Sequence, residues 1–340
     1  MYTNPSGLGV ELSLAEAVCV FREMPDQLQL CSLHPKMVQI DAQRDPLLHP
    51  IYWHFRFGSR RLLHSFQLGD NSDPTVKDLQ SAYGYGGPLS NSDERSFIEM
   101  AEHAFALWAS KQLVVAEFFR FHPLVPHEKW YAGAIVDNRE TIHIDLFEDL
   151  FTQYQPRRRT DVRRFLKSGL RIERVSASLM RSIFPDLYAQ NMNRVGATDD
   201  YYFPPAYFDL LFEFDGCENW VAYEDDRAVA GAILLASSPA KVVEYFLGAQ
   251  TKSSEQHKAT IGLLHAAAVF YQSMGYRYFY LGGGRSRAAD DSLLFFKKGF
   301  SSFTGQYRTA SKVYSPQRYF QLQHLLPDKA ASGRVLFYKD

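Results

Sequence analysis

The chain has 340 residues and a formal net charge of −1, with 37 Lys and Arg against 38 Asp and Glu. That length suits two ordinary domains, and a charge so near zero excludes a surface coated for DNA, so no DNA partner is expected and any nucleic-acid contact is local. Cys19, Cys31 and Cys217 have no ligand spacing and the histidines are scattered, which argues for reduced thiols and against a disulfide framework or a metal site.

The first residues, Met1-Tyr2-Thr3-Asn4-Pro5, lack a basic segment followed by an apolar one, and no apolar run is long enough to span a bilayer. A cytoplasmic location without a transmembrane segment is therefore expected. Ile51 to Phe57 alternates as a strand, Gly58 to Arg61 turns it, and Leu62 to Leu68 pairs back. After the loop Tyr83-Gly84-Tyr85-Gly86-Gly87-Pro88, Ser92-Asp93-Glu94 caps a helix to about Ser110, with Phe97, Ala101, Ala104, Leu107 and Trp108 on one face. Strands follow at Leu113 to Arg120 and Thr141 to Leu146. The segment Phe147 to Gly169 bridges the halves. It contains a basic helix, Arg157 to Lys167, with six cations and one acid. This helix is either a charged solvent face or a site for a diphosphate or the acceptor end of a tRNA.

The second half predicts a strand at Leu170 to Val175, helices at Ala177 to Asn193 and Pro205 to Phe214, and a hairpin of Trp220 to Tyr223 with Ala228 to Ala236. A strand at Val242 to Leu247, a helix from His257 to Met274 and a strand from Tyr276 to Leu281 lead into Gly282-Gly283-Gly284. A short helix, Asp291 to Lys298, stops at Gly299-Phe300, and Val335 to Tyr338 is a plausible last strand. The 26 Phe and 20 Tyr mostly imply aromatic cores.

The order repeats. Tyr83-Gly84 opens a loop before a long helix and a strand, and about 160 residues later Tyr245-Phe246-Leu247-Gly248 does the same, with His103-Ala104 opposite His265-Ala266; so long a period means two copies of one domain and not a solenoid. Two such copies create a cleft, where ligands usually bind. The expected class is mixed α/β, helices covering partly antiparallel sheets.

The stretch from Ser292 to Phe300, with Phe296-Lys297 before Gly299-Phe300, resembles the late helix of the GNAT acyltransferase fold. Together with Tyr83 to Pro88, Arg120-Phe121-His122-Pro123 and Leu281-Gly282-Gly283-Gly284, it resembles the Fem-type branch of tandem-GNAT proteins, the peptidoglycan-bridge aminoacyltransferases and their relatives, over nearly the whole chain. The resemblance implies a cell-wall N-acyltransferase with no resident cofactor. Residues 1–155 would form an acceptor-side domain and 156–340 an acyl-donor-side domain. An aminoacyl group would pass from aminoacyl-tRNA to a primary amine on a peptide or sugar-nucleotide-linked acceptor. It also implies that Phe296 and Lys297 stabilise the transferred acyl group, with the assignment open to a slip onto Lys298, and that Arg163 is the basic position between the domains.

The stretches before the two long helices, Gln250 to Lys258 and Leu89 to Arg95, carry no glycine, so neither looks like a CoA clamp. Phe295 stands where many GNAT enzymes have a tyrosine that protonates a thiolate. The glycine run could admit a ligand close to the backbone or merely turn the chain. Arg285 and Arg287 could hold phosphates or be loop charge. Tyr83, Tyr85 and Gly86 could floor an acceptor site or pack a turn, and Arg120 and His122 stand where a strand leaves the sheet. Glu117 and Glu244 are the candidate bases, either of which could equally be a paired structural acid. The alternatives are an acyl-CoA-dependent N-acyltransferase of envelope polysaccharide or lipid, and a non-catalytic binding protein.

Overall fold

A computed structural model describes residues 9–288 and 290–339; Met1 to Pro5, where no leader is expected, lie outside them. The chain forms two compact units, one of the chain up to Asn138 together with the chain from Tyr307, the other of Arg139–Gln306. The division therefore falls before residue 155, and the last segment belongs with the first unit. The packing gives the reason. Ile142, Ile144, Leu146, Leu150 and Tyr154 are buried in one core with Leu234, Val243 and Phe279.

In the first unit Val10–Glu11 pairs with Leu48–Phe57, which pairs antiparallel with Arg60–Gly69. Arg60–Gly69 continues to Lys77–Gln80, which runs parallel to Val114–Phe121. Thr304–Val313 lies antiparallel to Val114–Phe121, with Lys312 opposite Glu117. The helix Arg95–Lys111 links the two parallel strands and buries Phe97, Ile98, Ala101, Phe105 and Ala109. That stripe is rotated from the expected one, and Leu107 is 54% exposed. Spacing of four residues from Phe97 and Ala101 aims Phe105 at Trp53 and Phe66, with ring centroids at 4.9 and 5.6 Å. Burying a ring of this size is worth roughly 2–3 kcal/mol. The helix N-cap is Glu94, whose side chain makes no cap bond; Ser92 Oγ instead accepts from the Glu94 N–H.

The second unit repeats the order. Arg171–Arg174, Cys217–Glu224, Arg227–Ser237 and Val242–Gln250 form an antiparallel run. The helix Ala259–Ser273 then leads to Tyr278–Gly283, parallel to Val242–Gln250 and antiparallel to Ala134–Asp145. Hairpin, third strand, helix, parallel strand and antiparallel neighbour thus occur twice, as the duplicated mixed α/β fold requires.

Three local expectations change. Tyr245-Phe246-Leu247-Gly248 lies within Val242–Gln250 and pairs with Arg227–Ser237, so it opens no loop. His103 is exposed whereas His265 is buried and bonded to the Tyr154 hydroxyl at 3.2 Å, so the two histidines are not equivalent. Val335 to Tyr338 forms turns and no strand. Phe337 and Tyr338 are buried against Val76, Val115 and Leu322, and the apolar signal came from this anchoring. Among the described residues no helix is long and apolar enough to cross a membrane.

Candidate functional site

In the second unit the glycine run ends the strand Tyr278–Gly283. Its pairing with Val242–Gln250 covers Val242 to Glu244 against Tyr278 to Tyr280. On the other edge the register shifts between Tyr280 and Gly282, a bulge that turns the strand end. Gly282 takes φ +78°, a left-handed conformation, and a Cβ there would lie 3.2 Å from the Lys297 ammonium. At Gly283 a Cβ would press on the Glu140 carbonyl at 2.9 Å, and at Gly284 it would strike the Asp291 carboxylate. Gly283 and Gly284 are therefore favoured by close approach and Gly282 by its left-handed φ.

The helix Ser292–Lys298 brings Lys297 to this end. Lys297 is 7% exposed and donates to the Gly283 carbonyl at 2.7 Å. Burial lowers its pKa to about 7; the Asp291 carboxylate resists that fall and the Arg139 guanidinium adds to it. Arg139 itself donates to the Gly284 carbonyl at 2.8 Å. Lys298 instead pairs with Glu140 at 2.5 Å, so Lys297 is the buried lysine of the two.

Asp291 caps this helix through the Leu294 N–H at 2.8 Å and also accepts from the amides of Arg285 and Ser286 at 2.9 and 2.8 Å. Burial works against its charge, but the hydrogen bonds from Leu294, Ser286 and Arg285 outweigh that and hold the carboxyl below the usual range. Arg285 is exposed, with its guanidinium 3.1 Å from Ser292 Oγ.

Phe296 faces the core and touches Phe300 edge-on at 5.7 Å. Between these rings lies the buried Arg158, 4.7 and 4.3 Å from their centroids, which donates to the Phe296 carbonyl at 2.7 Å. Burial lowers Arg158 to about 10, so it stays charged at neutral pH. Phe296 thus supports the helix that carries Lys297. Phe295, the neighbouring ring, is 63% exposed and offers no hydroxyl. Arg163 stands on the exposed face of Pro156–Leu166, 5.8 Å from the Phe151 ring centroid. The glycine run, Arg285, Phe296 and Lys297 come together; Arg163 packs on a different ring.

In the first unit the loop from Tyr83 to Pro88 crosses the end of Val114–Phe121. Gly86 N–H donates to the Arg120 carbonyl at 2.8 Å, and Arg120 N–H donates to Ser81 Oγ at 3.2 Å. Gly87 takes φ +123° with Phe121 and His127 where a Cβ would be. Tyr83 lies under the Arg44 guanidinium, 5.4 Å from its ring centroid. Tyr85 packs edge-on to His122 at 4.5 Å. His122 is wholly buried, and its Nδ1 accepts the Leu124 amide at 3.2 Å, which commits that nitrogen to the turn at Pro123. Tyr83, Tyr85, Gly86, Arg120 and His122 therefore share one loop and strand end.

Sequence reasoning did not find Asp291, Arg139 or Arg158. A signal for Arg158 existed: Arg158, Val162 and Phe165 are the buried positions of their helix, at helical spacing, so one arginine of the basic run sits in the apolar stripe. Among the described residues no group of three or more His, Cys, Asp or Glu is arranged to hold a metal ion.

No family model matches the chain, and no curated protein matches its sequence. Solved structures do. The crystal structure of FemX superposes with a TM-score of 0.69 at 12% identity, covering 94% of this chain and 99% of that one. L-PGS from Bacillus licheniformis gives 0.61 at 11% identity over 95% and 98% of the two chains. A tandem GNAT protein from the clavulanic acid biosynthesis pathway gives 0.50 at 12% identity, covering 92% of this chain and all, 100%, of that one. The chain has the GNAT-like fold of these tandem, FemX-like proteins.

Proposed function

We propose that the chain is an N-acyltransferase of the Fem type, which passes an aminoacyl group from aminoacyl-tRNA to a primary amine on a peptide or sugar-nucleotide-linked acceptor. The observation that carries this reading is the Lys297 ammonium, buried at a strand end made of three glycines that let Lys297, Glu140 and Asp291 pack close to the backbone. An amine attacks the donor carbonyl, the C–N bond forms, and negative charge develops on the carbonyl oxygen. Lys297 stabilises that oxyanion, an effect whose loss typically costs about 3–4 kcal/mol. Collapse breaks the ester bond to the ribose. The proton shed by the attacking amine goes to the departing ribose oxygen, so the substrates themselves carry the proton transfer.

Asp291 and Arg139 hold the loop at the glycines, and Phe296 with Arg158 holds the helix. Arg163 and Arg285, both exposed, would meet phosphates of the donor. Tyr83, Tyr85, Gly86, Arg120 and His122 would form the acceptor side, His122 as a supporting ring. The stretch before Ala259–Ser273 favours a donor other than CoA. It is filled by its own contacts, with Ser254 Oγ donating to the carbonyls of Val229 and Thr251 at 3.1 and 2.9 Å. The FemX-like fold fits an acyl transfer of this kind.

The test is incubation of the purified protein with a charged tRNA pool, or with acyl-CoA thioesters, and a panel of muropeptide and amino-sugar acceptors. Mass spectrometry should find an amide with the tRNA donor only. Tight CoA binding by calorimetry with turnover of a thioester would overturn the choice of donor. Binding of acceptors with no amide from any donor would overturn catalysis.

A further inference from the structure

The first unit contains a cavity bordered by the carboxyl named above as a candidate base. On Val114–Phe121, between apolar neighbours, stands Glu117, which is 1% exposed. Its Oε2 accepts from the Tyr314 hydroxyl at 2.8 Å. Its Oε1 makes no hydrogen bond of full geometry, and the Tyr131 hydroxyl stands beside it and draws the carboxyl down. Both border a cavity of about 30 Å³. A water needs roughly 10–15 Å³ on this measure, so the space suits about two water-sized groups. The walls are ring faces and edges: Trp53, Phe105, Trp130, Tyr131 and Tyr314. Ala132, which is exposed, and the partly buried Glu102 and Lys312 bring the cavity to the surface.

The charge balance is uneven. Two carboxylates, Glu117 and Glu102, face the cavity, with one ammonium, Lys312. His64 supplies no second cation, because burial holds its pKa down to about 3. Above about pH 7 one carboxylate is therefore left without a counter-charge, in a box of aromatic rings. Rings and one open carboxylate oxygen are poor ligands for a metal ion, which wants several oxygens. They are good partners for an organic ammonium, which gains a charge-assisted hydrogen bond and cation–π contact together.

We propose that this cavity binds a primary alkylammonium group, with Glu117 Oε1 taking its N–H, the rings enclosing its first methylene, and the chain leaving past Ala132. The bound ion is an amine salt or the side chain of a lysine in a peptide; both present the same head. Neither source depends on the transfer centre in the second unit.

The groups that face Glu117 set the pH response. Burial raises its carboxyl to about 7, the Tyr131 and Tyr314 hydroxyls and Lys312 pull it down, and Glu102 pushes it up. Burial likewise raises Glu102, against the pull of Lys312. Binding needs the ionised carboxylate, so affinity should be full above pH 7 and fall about tenfold per pH unit below it.

The experiment titrates methylammonium into the full chain and follows the indole and methyl NMR signals at pH 8 and pH 6, with sodium at equal ionic strength as control. A lysine-containing peptide and its acetyl-lysine counterpart form a second arm that separates the two sources. The expected result is saturable binding at pH 8, weakened about tenfold at pH 6 and lost in Glu117→Gln. Should Glu117→Gln not fold, Ala132→Trp, which closes the rim from an exposed position, should abolish binding instead. No saturable shift, an equal response to sodium, or unchanged binding in the Gln or Trp variant would overturn the proposal. An amine-binding protein that forms no amide would leave this inference standing and sink the transferase reading, so the two fail separately.

Discussion

Substituting Lys297 by methionine should make the protein more stable and less active at once, and the pH dependence gives the reason. Its ammonium sits at about 7 in the folded chain against 10.5 in the open one. That difference corresponds to a burial penalty on the order of 5 kcal/mol. The sign follows from proton counts. Between about pH 7 and 10.5 the unfolded chain binds more protons than the folded one, so stability rises with pH across that window. Below pH 7 both forms are protonated and the full penalty remains. Lys297→Met removes it but strands the Gly283 carbonyl, which loses its 2.7 Å donor. An unsatisfied buried acceptor costs about 1–3 kcal/mol. The net expectation at pH 6 is a variant more stable by roughly 2–4 kcal/mol, with the gain vanishing between about pH 8 and 10 and reversing above that. Urea unfolding at a series of pH values measures it.

The same lysine sets the rate. If its charge stabilises an oxyanion, kcat/KM referred to the neutral fraction of the acceptor amine is level below pH 7 and falls about tenfold per unit above it, and the methionine variant loses roughly 10²- to 10³-fold. Were the neutral amine a general base, the rate would climb through pH 7 instead. Single-turnover amide formation across pH 5.5 to 9 separates the two by the direction of one limb. A rising limb, a methionine variant at full rate, or an NMR titration of the labelled lysine with a midpoint near 10 would refute the reasoning.

Gly282→Ala forces a side chain into a left-handed φ and places a methyl 3.2 Å from Lys297 Nζ; thermal unfolding should show a loss of about 1–2 kcal/mol, and the rate should fall further than that loss explains. Asp291→Ala removes a helix cap and the acceptor for two loop amides. It should cost about 1–2 kcal/mol and move the alkaline limb to lower pH, since Asp291 favours the charged lysine. Arg158→Met keeps the stem between Phe296 and Phe300 but leaves the Phe296 carbonyl without its donor; stability should drop by about 1–3 kcal/mol while the limb stays where it is. Glu117→Gln should remove a pH response of opposite sign, because a carboxyl raised from 4.5 to about 7 makes the folded chain lose stability as pH rises between those values.

What could be read in the sequence follows from how far each feature depends on its own neighbours. The duplicated order was legible because hairpins, long helices and strands announce themselves by local periodicity. The triple glycine was legible because a left-handed φ and close approach both favour residues without a Cβ: Gly282 takes the first, and Gly283 and Gly284 meet the second. Thr304–Val313 was not, since its partner Val114–Phe121 lies far back in the chain and its own alternation is weak. Nor was the buried stripe of Arg95–Lys111, where Phe105 and Leu107 have similar hydrophobicity and only the rings of Trp53, His64 and Phe66 select between them. Charged residues divide on the same ground. Lys297 and Lys298 are chemically identical in sequence, and what separates them is a carbonyl on a bulged strand for one and Glu140 for the other. Arg158 and Glu117 share a rarer signature, a charge placed where the periodicity demands an apolar residue. Burial destabilises such a charge, so its presence points to a partner. For Arg158 the partner is the end of the helix bearing Lys297; for Glu117 two tyrosines meet only part of the demand, and the remaining oxygen faces a space lined by aromatic rings.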